Sequence, residues 1–499
     1  MQKFDALIIG SGIGGLECAY ILAKRGMRVC VVEKNPALGG CLQSFKRGED
    51  EFDTGFHYVG ALGKGEILER LFSYFGLMEL PWHQLDREGF DEVFLKDKSY
   101  LLSNGHTAFA ERLSSYFPDR SNEIKRYSAF LKEVGAKITD PVLKEGNGLS
   151  SVNELFSRNA YNFLRESVGE GTALDVISGT SLKLELNRPT LPLYTFAQIN
   201  NSFVQSAWRL RGRGSMITDT LAKSIEKMGG VIMKGWQAVE IKEDGGVCSF
   251  VEVCRLNTNE RLFADYIISD LTPQTTLKLL KESGSVRKIF LRRINNLEQT
   301  YGFFTLNLRL KKERVPYVNR NRYYYTPELS SVWDVKDESA KGRVCGLLIT
   351  QQVPNEGETF ATYMDILTPM SYAEVEKWGD SCVGHRGEEY KEFKERKAEE
   401  CLRLAERIIP HLRESVERCY TSTPLTYRDY IGAPEGTAYG IRKDCNSIEK
   451  TLLAPKSPLK NLFFTGQNLN LHGILGTSLT SLLTCSQILG RESVVRFLK

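Results

Sequence analysis

Paired cysteines, clustered histidines and long apolar runs are what this sequence lacks. Its 499 residues include eleven cysteines, an odd count, and none stands in a CxxC spacing. The six histidines are scattered. These absences speak against a disulfide framework, structural zinc and a thioredoxin-type centre. Scattered unpaired thiols fit a reducing compartment, here the cytoplasm. No apolar run reaches the ~18 residues that a transmembrane helix needs. Residues 1–10 include Asp5 and read as a strand, so no secretory leader is expected. Charge of one sign is also scarce: 66 Lys and Arg against 62 Asp and Glu leave a formal +4. That is no footprint for a nucleic-acid partner, which needs a concentrated basic excess. No internal repeat or low-complexity linker is evident.

What is present is ordinary globular chemistry: 26% charged and 41% hydrophobic residues. At ~150 residues per domain the length suggests two or three domains' worth of chain. A chain of this size buries roughly three quarters of its unfolded surface and needs no staples.

The amino-terminal stretch carries the most information. Residues 4–9 are short and apolar and read as a buried parallel strand. Gly10-Ser11-Gly12-Ile13-Gly14-Gly15 follows, a GxGxxG with an additional glycine. Leu16, Ala19, Tyr20 and Ala23 then share one helical face, and Gly26 sits where a helix C′ glycine belongs. Residues 28–32 read as a second buried strand ending at Glu33, with Lys34 beside it. Each type has a physical task. Gly10 allows a sharp turn, Gly12 lets backbone approach a pyrophosphate, and Gly15 lets the helix pack on the strand. Phosphates then meet free N–H groups at a helix start. Glu33 can accept hydrogen bonds from ribose hydroxyls and repels a 2′-phosphate. A glycine-rich turn without a ligand is the bland alternative, but strand, helix, second strand and acid all fall where the fingerprint requires.

After Glu33 the chain runs Asn35-Pro36-Ala37-Leu38-Gly39-Gly40. The Gly39-Gly40 pair suggests backbone passing a bound ligand a second time, a pattern that resembles flavoenzymes of the glutathione-reductase-like fold. Phe52-Asp53-Thr54-Gly55-Phe56-His57-Tyr58-Val59-Gly60 resembles the matching segment of the retinol saturases, within the phytoene desaturase and carotenoid isomerase superfamily. Gly212-Arg213-Gly214-Ser215-Met216, with an amphipathic helix to Gly229-Gly230, resembles that family's mid-chain return to the FAD domain. Residues 461–490 resemble its C-terminal flavin motif.

The residues between support the likeness. Thr218, Leu221, Ile225 and Met228 form a helical face, and residues 231–233, 239–241, 247–253 and 261–268 read as strands. The resemblance implies that Val239 presents backbone to an adenine. Residues 462–465 read as a strand ending at Gly466, followed by Gln467, Asn468 and His472-Gly473-Ile474-Leu475-Gly476. Thr477 or Ser478 can cap a final helix whose Leu479, Leu482, Leu483 and Leu489 face inward. The resemblance implies that this helix aims its start at the flavin pyrimidine edge, where its dipole stabilises negative charge. Many relatives carry an acid near Asn468; asparagine can still bond the ribityl chain.

No second dinucleotide fingerprint follows, because Gly212-Arg213-Gly214 lacks the third glycine and a preceding apolar strand. Electrons therefore come from a nicotinamide nucleotide, NAD(P)H, visiting transiently, or pass to and from another partner. The cofactor implied is FAD, which carries the hard chemistry while protein positions substrate and excludes water. Two side chains are candidate proton donors. His57 can titrate near neutrality, or be a buried histidine lining the FAD site. Tyr439 lies in the glycine-rich loop 432–440 and can line a pocket, whereas its neighbour Glu435 reads as a surface residue. His472 either touches flavin or caps the glycine turn.

The expected fold class is α/β, with a Rossmann-like, glutathione-reductase-like FAD-binding domain of residues 1–75, 206–285 and 421–499. A discontinuous mixed α+β substrate domain takes residues 76–205 and 286–420. Tyr194, Phe196, Phe203, Trp208, Tyr301, Phe303, Phe304 and Tyr323-Tyr324-Tyr325 either line a channel for an apolar polyene or fill ordinary core. Residues 388–409 read as a charge-dense surface helix ended by Pro410. Ile67, Leu68, Leu71, Phe72 and Phe75 form a stripe that is either core packing or a peripheral membrane contact. The family likeness implies an oxidoreductase acting on a carbon–carbon double bond of an isoprenoid-like molecule, a saturase first and a desaturase or isomerase second. An amine oxidase and a non-catalytic flavin or lipid binder are the alternatives of other kinds. No metal is expected, and oligomeric state does not follow from the pattern.

Overall fold

Three stretches far apart in the chain meet in one sheet. The computed structural model describes residues 3–143, 152–281 and 283–495. Strands Val231–Lys234, Val29–Glu33, Lys3–Ile9, Thr258–Ser269 and Leu462–Phe464 lie side by side in that order, all parallel. Lys3–Ile9 and Val29–Glu33 are near-continuous apolar runs and are buried almost throughout, as strands covered on both faces must be. The register aligns Ile9 with Ser269 and Ser269 with Phe464. The chain therefore leaves three neighbouring strands at one level, through Gly10, Asp270 and Gly466. Crevices at the carboxyl ends of such strands are where α/β sheets bind ligands. An antiparallel meander of Gln237–Asp244, Val247–Arg255 and the start of Thr258–Ser269 extends the sheet.

Helix Ile13–Lys24 ends at Gly26, which takes φ +83° as a C′ glycine does. It packs against the final long helix, Gly473–Leu489. That helix begins earlier than the sequence suggests. Its N-cap is His472, and Thr477 and Ser478 lie buried inside it. The positive φ of Gly473, +75°, accommodates the entry that a β-branched residue could not. Leu479, Leu482 and Leu483 face the core and Leu489 is half-buried against it.

A second, mostly antiparallel sheet runs Val416–Ser422, Gly302–Leu310, Tyr363–Met370, Gly346–Gln351, Asn321–Tyr325, Asp91–Leu95, Lys98–Leu102. Only Asn321–Tyr325 and Asp91–Leu95 pair in parallel. Strand alternation splits its side chains between two cores. Phe303, Leu348 and Leu367 turn to one side, Phe304, Leu347 and Ile366 to the other. The second side is covered by helix Glu388–Ala405, which buries Tyr390, Cys401 and Leu404. This helix stops at Ala405, short of Pro410, because residues 406–409 continue in turns.

Packing decides two alternatives that the sequence leaves open. Ile67, Leu68, Leu71, Phe72 and Phe75 on helix Ile67–Phe75 are all at most 6% exposed, so the stripe is core, not a membrane face. Their partners include Trp82 and Tyr20, which leave no room for lipid. Most of the aromatic set is core as well: Tyr194, Phe196, Tyr301, Phe304, Tyr323 and Tyr325 are buried in clusters. Phe203 and Phe303 reach a cavity. No helix among the described residues is long and apolar enough to cross a membrane.

Candidate functional site

A cavity of about 490 Å³ opens where the parallel strands end. One end is formed by the glycine turn, Glu33, Lys34, Trp236, Gln237, Ala238 and Asp270. Gly39 and Gly40, then Gly466, Gln467, Asn468 and the stretch from Leu471 to Thr477, form its middle. His57, Tyr58, Phe203, Phe303, Leu348 and Leu367 line the other end.

The turn is built so tightly that side chains are excluded. A Cβ on Gly14 would stand 3.0 Å from Thr477 Cγ2 and 3.1 Å from Gly466 Cα. A Cβ on Gly15 would fall 2.4 Å from the Gly10 carbonyl oxygen, so Gly15 has the close-packing task expected of it. Gly15 itself does not line the cavity. At Gly12 the close neighbour is the Asp270 carboxylate, 2.3 Å from where a Cβ would be. Gly39 passes against the turn, its N–H donating to the Ser11 carbonyl at 3.0 Å. Gly39 and Gly40 both take positive φ, +112° and +54°.

Glu33 is anchored as well as placed. Its Oε2 accepts from the Ser11 N–H at 3.0 Å and from the Ser11 hydroxyl at 2.6 Å, and its Oε1 accepts from the Asn35 N–H at 2.9 Å. Oε1 keeps acceptor capacity for a ribose hydroxyl. Lys34 donates to the Asp429 carbonyl at 3.3 Å. Val239 does not reach the cavity. It sits at an irregularity in the pairing of Gln237–Asp244 with Val247–Arg255, and this shifts the wall to Trp236, Gln237 and Ala238.

At the start of the final helix, Gly473, Leu475, Gly476 and Thr477 line the cavity, so the helix's first turn, whose N–H groups have no partner within the helix, lies at this wall. Asn468 Oδ1 accepts from the Ile441 N–H at 3.1 Å, which leaves its amide hydrogens for the cavity. His472 bonds the Lys183 carbonyl through Nε2 at 3.1 Å, and burial pushes its pKa down to about 4; its neutral ring makes no cap bond to the helix.

Two buried acids escape sequence reasoning. Asp270 follows strand Thr258–Ser269 and accepts from the Gly12 and Gly15 N–H groups; burial raises its pKa to about 7. Glu17, inside helix Ile13–Lys24, accepts from the Ser478 and Ser481 hydroxyls at 2.6 and 3.0 Å and ties that helix to the last one. Burial raises it to about 8. Neither residue stands in a pattern; only the tertiary contact reveals it.

The two candidate proton donors part company. Tyr439 donates its hydroxyl hydrogen to the Leu182 carbonyl at 2.5 Å, and burial holds that hydroxyl far above its ordinary pKa. It presents a ring, tilted against His472 with centroids 4.5 Å apart, and serves as wall. Glu435 is exposed at a turn. His57 is half-buried on the cavity wall, and its two buried ring nitrogens have no hydrogen-bond partner. Its pKa does not lie near neutrality: burial, then the Arg209 charge, push it down to about 4. Among the described residues no cluster of potential metal ligands occurs.

Comparison with known proteins agrees with this geometry. Residues 8–75 match the family model of the NAD(P)-binding Rossmann-like domain. All-trans-retinol 13,14-reductase of Danio rerio is 27% identical over 98% of this chain and 86% of its own length. Chloroplastic prolycopene isomerase of Daucus carota is 25% identical over 88% of this chain and 72% of its own. An oxidoreductase from Methanosarcina mazei shares the fold, with a TM-score of 0.64, 16% identity, and 96% and 99% of the two chains covered. The site is thus one for a flavin or nucleotide cofactor, on a Rossmann-like scaffold. With the glycine turn, the mid-chain return and the tail converging as they do, the likeness to retinol 13,14-reductases and prolycopene isomerases supports the phytoene desaturase, carotenoid isomerase and retinol saturase superfamily.

Proposed function

We propose that the protein is an FAD-dependent oxidoreductase that saturates a carbon–carbon double bond in an apolar polyene. The observation that carries this reading is the continuity of one cavity, from a nucleotide cradle at Glu33 and Gly12 to an apolar wall of Phe203, Phe303, Leu348 and Leu367. The residues fit FAD. Glu33 would hold the adenosine ribose, the Gly10–Gly15 turn the pyrophosphate, and the stretch from Gly466 to Thr477 the isoalloxazine edge. When bound, FAD supplies hydride chemistry. The chain's own part is to bind the polyene in an apolar, water-excluding wall and to hold a proton for the second alkene carbon. His57 is the side chain placed for that proton. The described residues carry one dinucleotide turn, so NAD(P)H would act as a visiting electron donor.

The likeness to retinol 13,14-reductases supports saturation, and the likeness to prolycopene isomerase supports a second reading, bond isomerisation on the same scaffold. One experiment separates them. FAD-loaded protein is reduced anaerobically and mixed with all-trans-retinol, a cis-carotenoid, or an aliphatic amine as control. Saturation predicts flavin reoxidation and a product heavier by two hydrogens. A product of unchanged mass indicates isomerisation. Flavin that stays reduced with every polyene, with no isomer formed, contradicts both readings.

A further inference from the structure

Adding hydrogen across an alkene consumes a hydride and a proton, and a side chain on the cavity wall can supply the proton. The titratable groups at the apolar end can be sorted by their bonds. Tyr58 is bonded to Asp91 and Tyr323, Tyr427 to the Thr54 carbonyl, and Tyr439 to the Leu182 carbonyl. Lys183 donates to Thr180 at 3.0 Å and faces Asp91 at 3.7 Å. His57 alone among these has both ring nitrogens buried and unpartnered.

Its neighbour is Asp365. The Asp365 Oδ2 stands 4.0 Å from His57 Nδ1, and its Oδ1 accepts from Asn307 Nδ2 at 2.7 Å. Sheet register explains the placement. Asn307 lies opposite Asp365, and Thr305 opposite Leu367, on adjacent strands. Asp365 therefore shares the cavity-side face with Leu367, two residues on. It is 6% exposed, so its charged form is poorly solvated. Burial raises it to about 6, while His57 is pushed down to about 4. Around neutrality the imidazole alone lacks the proton that the reaction needs, and the adjacent carboxyl is the group that retains one longest.

We propose that Asp365 is the positioning and proton-holding partner of His57, and that the pair delivers the solvent-derived proton to the alkene. This rests on the saturase reading above. One alkene carbon takes hydride from the reduced flavin, which is oxidised by two electrons as the alkene is reduced. The other carbon forms its C–H bond as the imidazole Nε2–H bond breaks. Nδ1 takes the Asp365 proton, Asp365 is left as carboxylate, and solvent restores it. The charges facing the pair are Arg209, whose Nε donates to the His57 carbonyl at 3.1 Å, and Arg213. The Asp53 carboxyl and the Tyr427 hydroxyl interact with Asp365 from its other neighbours. Burial raises the Asp53 carboxyl to about 7, so it titrates alongside the pair and contributes to the profile.

The test uses FAD-loaded protein, wild type and the variants Asp365→Asn and Asp365→Glu, over pH 5–9. Reoxidation by polyene should fall about tenfold per pH unit as the pair loses its proton. Asp365→Asn should slow it about 100-fold and flatten the profile, and Asp365→Glu should restore most of both. The second readout is the ¹⁵N titration of His57 by NMR. It should report a midpoint near that of the pair in wild type and lose it in Asp365→Asn, with FAD affinity unchanged. A wild-type profile in Asp365→Asn, or a His57 titration indifferent to that change, overturns the proposal. If wild type gives electrons to no polyene, the saturase reading fails, and the histidine titration still decides whether the pair exists.

Discussion

At the residue scale, the glycines of the nucleotide turn are the most constrained positions. Gly14 has ordinary helical backbone, so an alanine there tests space alone. Its methyl would meet Gly466 Cα at 3.1 Å, where backbone cannot yield as a side chain end can. Gly14→Ala should weaken FAD binding by about tenfold or more, some 1.4 kcal/mol, in a fluorescence titration of the apoprotein. Unchanged affinity would mean that the turn is not the pyrophosphate site. The glycine turn, Glu33 and the His57 segment were legible in the sequence because their chemistry is local: consecutive residues do one job. Asp270, Glu17 and Asp365 were not. Each gains its meaning from a partner far away in the chain, as Asp365 does from His57 and Glu17 from Ser478.

At the scale of elements, the contact between the first and last helices is the joint on which the site depends. Glu17 makes that contact as a protonated acid, its pKa raised from 4.5 to about 8 by burial. Between those values the native state binds a proton that the unfolded chain has released, so stability falls as pH rises through the window. Glu17→Gln keeps the shape and removes the titration. Thermal melts should show the variant more stable than wild type at pH 8.5 and about equal to it near pH 4. A constant difference across that range would place the acid's proton elsewhere. Strand positions were readable from apolar runs, since buried parallel strands need them. Helix ends were less so: the last helix starts at Gly473, with His472 at the N-cap position and no side-chain cap bond, so none of the usual Ser, Thr, Asp or Asn signals marks it. Val239 was displaced from the wall by an irregularity in strand pairing that no periodicity records.

At the scale of the whole molecule, two sheets meet to close one cavity, the first supplying the nucleotide cradle and the second the apolar wall. The division predicts that the two ends can be changed separately. Leu348→Trp fills the apolar end from the second sheet. FAD binding should stay within about twofold of wild type, while polyene reoxidation of the reduced protein drops by about 100-fold or more. Loss of both together would mean that the cavity is not divided as described. The convergence of the amino-terminal turn, the mid-chain return and the tail was expected from the sequence. The aromatic residues of the second sheet were not readable as channel or core, because burial serves both, and most proved to be core. The apolar stripe at residues 67–75 shows the same ambiguity settled by packing.

The most direct measurement is an experimental structure of the FAD-loaded protein soaked with a polyene. The account predicts one FAD per chain, its ribose at Glu33 and its ring at the start of the last helix, with the polyene against Leu348 and Leu367 beside His57. Density for FAD outside this cavity, or a polyene bound away from the flavin ring, would contradict it.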